Sequence, residues 1–355
     1  MSVRHTELKR LVQTIFATAG CQPPEDERIA HYLVEANLVG HDSHGVIRVP
    51  PYVDFIRKDM IRLNQSIRVA FETEALAVLD GQLGFGQVIG EQAMRFAIDK
   101  ADRHGIAAVG LRNCGHLGRI GDWPLMVARA GKISVHFVNS SGFGALVAPY
   151  GGIDRRLSAN PIAAGIPVEG GEPIVVDMST CTIAEGKIKV ASNQGVTVPD
   201  DCLLDAEGAP TDDPARFYAD PPGSILPIAG HKGYALSFLV EILAGAFTGS
   251  GCTDPARAKA MVNGMLTIVL DPERIERDWG FADEVRRYIE FVKSSRLRNA
   301  DGEILLPGEP EQRTRKRRLA EGIELDETTL QQLIETARSV GVSDEAIAVD
   351  ALRHD

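Results

Sequence analysis

The apolar positions of this chain change their period along its length, and the changes mark its elements. MSVRHTELKRLVQTIF at the start reads as an amphipathic helix with charges throughout. In PPEDERIAHYLVEANLVG, Ile29, Leu33 and Ala36 fall at i, i+4 and i+7 on one helical face. Pro24 suits the first turn of that helix, and Glu25, Asp26 and Glu27 complement the positive end of its dipole. Gly40 supplies its stop, which holds the loop from His41 against a helix end. A short helix then carries Tyr52, Phe55 and Ile56, so residues 1 to about 62 read as helical.

From about residue 75 short apolar runs take over. ALAVLD (75–80), IAAVGLR (106–112), ISVHFVN (133–139), a segment near IAAGIPV (162–168), IVVDMS (174–179) and MLTIVLD (265–271) read as strands. GEQAMRFAIDKADRHG is a helix between the first two, and HKGYALSFLVEILAGAF (231–247) is a strongly apolar helix. Beyond about Thr314 the helical period returns, with Leu330, Leu333, Ile334 and Ala337 on one face. The pattern predicts an α/β (α+β) protein: helical segments at 1–74 and 306–355 cap a mixed α/β region at 75–305.

A net charge of −11 excludes a broad basic field for nucleic acid, so an anionic substrate needs locally placed cations. The one basic run, Arg313 to Arg318, reads as a solvated helix face, with a nucleotide-phosphate contact as the other reading. Five scattered cysteines without CxxC spacing fit a reducing cytoplasm rather than a disulfide framework. No run resembles a signal peptide or a membrane span, so a soluble cytoplasmic protein is expected.

GQLGFGQVIGEQA (81–93) follows a strand and opens a helix, which invites a dinucleotide-fold reading. Its Gly84, Gly86 and Gly90 are spaced one residue too long for the fingerprint. The next strand ends at Arg112 and Asn113, where an acidic residue should hold the ribose. A turn that lets a helix pack closely on a sheet accounts for these glycines better.

GHDSHGVIRVP (40–50) concentrates chemistry: His41, Asp42, Ser43, His44 and Arg48. Metal binding would need further ligands, and the spacing matches no His-Glu metal motif. The stronger reading is proton transfer by a histidine oriented by Ser43, with Arg48 clamping a carboxylate through two parallel hydrogen bonds. A polar connecting loop is the plain alternative. CGHLGRIGDW (114–123) places His116 just past a strand between glycines, Asp177 ends another strand, and Lys232 opens the apolar helix, where it can meet a phosphate.

Taken together, GHDSHG-x-x-R-x-x-x-Y, CGH-x-G, SANP, VVDMST, HKGYAL and LLPGE resemble the malate/L-lactate dehydrogenase family of the L-sulfolactate dehydrogenase type, over residues 5 to 345. Within it the form of the first two motifs is most similar to the hydroxycarboxylate dehydrogenase branch. The resemblance implies an L-sulfolactate dehydrogenase-like, non-Rossmann fold with a mixed central sheet, a helical domain from both chain ends, and a cofactor-binding core at about 120–250. It also implies a homodimer, no metal, and NAD- or NADP-dependent interconversion of 2-oxo and 2-hydroxy acids.

By the same resemblance His44 is the catalytic acid, with Ser43 and Asp177 as its hydrogen-bonding partners. In the mechanism expected here a histidinium delivers the proton to the substrate oxygen. His116 is the alternative proton-transfer group, Arg48 the carboxylate clamp, and Tyr52 lies on the substrate side. Ser140, Val176, Asp177, Met178, Ser179, Lys232, Pro307, Gly308 and Glu309 match cofactor contacts, and Asn160 and Pro161 shape the wall near the nicotinamide. Ser158 and Ala159 depart from the family's Gly-Thr at those places, which removes a side-chain hydrogen bond from position 159. Two other readings remain open: a reductase of a cyclic imine carboxylate, and a metal-dependent hydrolase or lyase using His41 and His44. Arg119, Arg155 and the basic run are all candidates for the 2′-phosphate of NADP.

Overall fold

The longer helices run, in chain order, α1 (His5–Thr18), α2 (Glu25–Leu38), α3 (Val49–Arg57), α4 (Gly86–His104), α5 (Asp122–Arg129), α6 (Glu185–Gln194), α7 (His231–Val240), α8 (Phe281–Lys293), α9 (Glu309–Glu321) and α10 (Glu327–Val340). The computed structural model describes residues 1–142, 144–257, 262–275 and 280–347, so the end of the 306–355 segment lies outside the described residues. α1 buries Leu8, Leu11, Val12, Ile15 and Phe16, the stripe its period predicts. That stripe joins Leu33, Tyr52, Leu333 and Ile334 in one core built from both ends of the chain. A short antiparallel pairing of Ser2–Val3 with Ile323–Glu324 closes the unit.

The central sheet has seven strands: β1 (Arg68–Glu72), β2 (Leu76–Asp80), β3 (Ile106–Cys114), β4 (Ile133–Ser141), β5 (Ile162–Ile166), β6 (Ile174–Met178) and β7 (Val262–Leu270). Their order across the sheet is β1-β2-β3-β7-β4-β5-β6. Only β2 and β3 pair in parallel; the other neighbours are antiparallel. The sheet is therefore mixed and lacks doubly wound parallel order, as the broken fingerprint implies. Its first strand falls inside the 1–74 span read as helical. β1 is an edge strand with every residue exposed, so it carries no buried alternation to betray it.

Register sets up the site. Cys114 at the end of β3 pairs with Asn263 near the start of β7, and Asn263 pairs with Ser140 near the end of β4. Ile162 at the start of β5 pairs with Met178 at the end of β6. The ends of β3, β4 and β6 and the starts of β5 and β7 thus line one rim of the sheet. A smaller core, including Val147, Leu157, Ile188, Leu203 and Phe217, packs around a three-stranded sheet within the same region.

Candidate active site

The His44 loop is shaped by its neighbours before it meets anything distant. α2 ends, Gly40 takes a left-handed φ of 89°, and two tight turns follow at Asp42–His44 and Val46–Arg48. Asn37, still on α2, accepts from the Val46 N–H at 2.8 Å and donates to Asp42 at 2.6 Å. Gly45 lies so close to Asn37 that a Cβ would sit 2.2 Å from its Oδ1, so only glycine fits. From the far end of the chain, Arg318 holds the Asp42 carboxylate through two hydrogen bonds of 2.7 and 3.0 Å. Gly186 of α6 packs on Ser43, where its Cβ would come within 2.8 Å of the serine Cβ. Ser43 Oγ is 2.9 Å from His44 Nδ1.

The His116 loop is held by the glycine loop. Past the strands, the β2–β3 ladder continues with Gly81 N–H to Arg112 O, Leu83 N–H to Asn113 O and Gly115 N–H to Gly84 O, at 2.8, 2.7 and 2.9 Å. α4 then starts hard against His116, whose carbonyl oxygen would lie 2.1 Å from a Cβ on Gly86. Asn263 Oδ1 accepts from the Leu117 N–H at 2.8 Å, tying the loop to β7. These glycines brace the His116 loop against the start of α4.

The two histidines meet with ring centroids 5.7 Å apart and planes 18° from parallel. The Tyr52 hydroxyl lies 2.6 Å from His116 Nδ1 and accepts from Gln87 Nε2 at 3.1 Å. Arg48 donates from Nε to the Ser43 carbonyl at 2.7 Å, and its two terminal nitrogens make no hydrogen bond among the described residues. Each ring keeps some accessible surface, yet enclosure shifts both strongly. Burial, with the Arg48 charge adding, holds His116 down to about 3. His44 falls well below its ordinary value through burial, then through the charges of His116 and Arg48. Burial also pushes the Tyr52 phenol up to about 12. Both shifts favour the neutral imidazole, against the histidinium expected as proton source.

Asp177 does not reach His44. Its Oδ2 accepts from the Gly121 N–H at 2.7 Å, so of the two partners expected for His44 only Ser43 is in contact. His41 also turns away, to Glu311 at 3.2 Å. Among the described residues no cluster of three or more His, Cys, Asp or Glu side chains is placed to hold a metal.

The remaining candidates gather on the rim. Asn160 is fully buried with a φ of 38° and donates to Ser237 Oγ and Glu241 Oε1, each at 2.9 Å. Glu241 also accepts from Asn139 and from the Thr253 N–H, and the single hydrogen of the Thr253 hydroxyl is within reach of either Glu241 Oε1 or the Ser140 carbonyl. One buried carboxylate thus links the segments carrying Ser140 and Asn160. The Pro307 carbonyl accepts from the Val175 N–H at 3.2 Å, setting the Pro307–Glu309 turn beside Val176, Asp177, Met178 and Ser179. Lys232 is exposed at the start of α7. Gln87, Glu241, Asn37 and Arg318 escape a reading by motif; only the helical position of Gln87 beside the glycine turn offered a signal.

Of the cations proposed for a 2′-phosphate, Arg155 is spent on the Gly223 and Phe217 carbonyls and stacks 4.1 Å over the Phe217 ring. Arg313, Arg315 and Arg318 pair with Glu303, Glu35 and Asp42, so three of the five cations of the basic run are used within the chain. Arg119 is buried, bonded to Asp122 at 2.7 Å, with its Nε unpartnered among the described residues. Burial lifts the Asp122 carboxyl to about 6 against the pull of Arg119.

Residues 3–334 match the malate/L-lactate dehydrogenase family. The chain belongs to that family. Hydroxycarboxylate dehydrogenase B of Escherichia coli K12 is 40% identical, aligned over 96% of this chain and 94% of that protein. L-sulfolactate dehydrogenase of Methanothermobacter thermautotrophicus is 37% identical over 97% of this chain and 98% of its own. The solved malate dehydrogenase of Pyrococcus horikoshii superposes with a TM-score of 0.86 at 32% identity, covering 97% and 96% of the two chains. As a member of this family the protein is an oxidoreductase, and the mixed sheet with its terminal helical unit is the family's fold.

Proposed function

We propose that the protein is a nicotinamide-dependent oxidoreductase interconverting 2-oxo and 2-hydroxy acids, with His116 exchanging the proton. One observation carries this reading: two stacked histidines stand beside an arginine whose guanidinium ends make no hydrogen bond among the described residues. Arg48, anchored through Nε, is left with a planar pair of donors that suits a carboxylate. A 2-oxo acid held there has its reacting carbon fixed beside the imidazoles, and placement of this kind supplies up to roughly 7–11 kcal/mol in ideal systems. Negative charge growing on the substrate oxygen is met by an imidazole N–H. Of the two rings, His116 is the better proton source, because the Tyr52 phenol stands behind its Nδ1 and can replenish it. His44, with Nδ1 engaged by Ser43, offers its other nitrogen to orient the substrate.

The residues on the rim fit a nicotinamide dinucleotide. A cavity of about 640 Å³ opens beside Val175 and Gly308, lined also by Glu35, Arg119 and Arg315; of the residues named for the cofactor it takes in Gly308. Ser140, Asn160, Pro161, Val176 to Ser179, Lys232 and Pro307 to Glu309 would hold the cofactor, NAD or NADP, which when bound supplies or accepts the hydride. A homodimer is part of the reading. The apolar helix α7 and its continuation expose Leu236, Phe238, Leu239, Ile242 and Phe247, a surface that suits a second copy. The five cysteines are all free and four are buried, in keeping with a cytoplasmic protein. No helix among the described residues is long and apolar enough to cross a membrane.

The test is initial-rate oxidation of NADH and NADPH in parallel with pyruvate, oxaloacetate, 2-oxoglutarate, phenylpyruvate and piperideine-2-carboxylate, with and without chelator. Turnover of an oxo acid unaffected by chelator is expected. Silence across the panel, or activity lost to chelator and restored by zinc, would overturn the proposal. Turnover of the cyclic imine alone would redirect it to C=N reduction.

A further inference from the structure

The hydrogen-bond chain behind His116 has one member that no motif contains. Gln87 is fully buried in the first turn of α4, one residue after the glycine that lets this helix approach His116. Its Nε2 donates to the Tyr52 oxygen at 3.1 Å, and that oxygen lies 2.6 Å from His116 Nδ1. An amide nitrogen has only hydrogens to offer. The Tyr52 oxygen must therefore accept from Gln87, and its single hydrogen is left to point at His116. Nδ1 is then the bare nitrogen of the ring, and the proton of the neutral imidazole sits on Nε2.

We infer that Gln87 is a positioning residue that sets the tautomer of His116 through Tyr52, so that the substrate oxygen meets an Nε2–H donor. This rests on the proposed role of His116 as the proton-transfer group. In reduction the Nε2–H bond breaks as the substrate O–H bond forms, while the Tyr52 O–H bond breaks as an Nδ1–H bond forms. Hydride comes from the reduced cofactor, and the transient phenolate regains its proton from water. Both Gln87 and the Arg48 charge favour that phenolate, opposing the burial that raises the phenol. Gln87 Oε1, by contrast, is buried without a hydrogen-bond partner among the described residues, an arrangement that costs stability.

The test reads the tautomer directly, by nitrogen NMR of the full-length wild-type protein labelled at histidine, with the His116 signals assigned by comparison with His116→Asn. The expected result is a protonated Nε2 and a bare Nδ1; the opposite tautomer overturns the inference whatever the kinetics. In Gln87→Glu the ionised carboxylate accepts from Tyr52, the phenol oxygen must then accept from His116, and the tautomer should invert. Its kcat should fall about ten- to a hundredfold, with cofactor dissociation and the KM for the oxo acid within about twofold of wild type. Gln87→Met, of similar length and unable to donate, should lose less and fold normally, which guards against a packing defect in the glutamate variant. Wild-type kcat in both variants would sink the proposal. Full activity in His116→Ala would instead remove the reading on which it rests and leave the tautomer assignment standing.

Discussion

His44 and His116 are the same residue type, stacked in one site and both shifted towards the neutral form, yet they are built in opposite ways. His44 takes its orienting partner from the residue beside it, Ser43, within a loop that Asn37 and Gly45 shape locally. His116 takes its partner from Tyr52, 64 residues earlier and on a different core, and Gln87 on a third segment sets that partner's direction. A local hydrogen bond fixes a ring's pose; a chain of donors from distant elements fixes which nitrogen carries the proton. Under the proposed function, proton delivery is assigned to the second arrangement.

The largest effect that would break this comparison is the ranking of two alanine variants. His116→Ala should lower kcat by about 10²–10⁴-fold, the range of a lost proton-transfer group, with cofactor affinity nearly unchanged. His44→Ala should lose about tenfold less, since it removes orientation alone. Steady-state kinetics with the preferred oxo acid decides the order, and a reversed ranking would return proton transfer to His44.

Arg48→Lys sharpens the comparison by acting on the substrate without touching either ring. A point charge cannot reproduce the planar fork, so KM for the oxo acid should rise about tenfold or more with kcat changed less. An unchanged KM would place the carboxylate elsewhere. Glu241→Gln is expected to be milder and confined to the cofactor. It weakens the buried hub that links the Ser140 and Asn160 segments, so cofactor dissociation should rise several-fold while the KM for the oxo acid holds. Equilibrium fluorescence titration with the reduced cofactor would show it, and equal shifts for both ligands would mean a general loosening of the rim.

A separate readout, independent of turnover, is acid stability. His44, His116 and the fully buried His136 all have lowered values, His116 and His136 reaching about 3, chiefly through burial. Below about 6.5 the unfolded chain binds protons on these rings that the folded chain refuses. Stability should thus be at its full value above 6.5 and be lost as pH falls towards 3, by up to about 1.4 kcal/mol per pH unit for each ring. Urea unfolding at pH 7 and pH 5 measures the slope. Replacing His136, whose ring is held by Ser134 and Thr267, should flatten it without altering the active-site contacts. An unchanged slope in that variant would assign the loss to other groups.

Local pattern carried much of the fold. The amphipathic stripes of α1, α2 and α10 and the apolar runs of β2, β3, β4, β5, β6 and β7 declared themselves because burial on one or both faces imposes a period. Strand β1 did not, being exposed at every residue, whereas α8 has a helical apolar stripe at Phe281, Val285, Tyr288, Ile289 and Val292 that the fold leaves unburied. At the site, His44, Ser43 and Arg48 were legible because their chemistry lies within six consecutive residues. Sequence also determined that the glycine turn at 84–90 is no dinucleotide fingerprint, since spacing alone breaks it.

What tertiary structure alone decided is the wiring. Strand register brings the ends of β3, β4 and β6 to one rim, and no local pattern encodes register between strands more than a hundred residues apart. Only the folded chain shows that Asp177 serves the Gly121 amide, that Arg318 braces the His44 loop, and that Gln87 stands behind Tyr52. The physical reason is that hydrogen-bond direction and desolvation depend on which groups are enclosed together. Sequence specifies the groups, and enclosure decides which of them hold a proton.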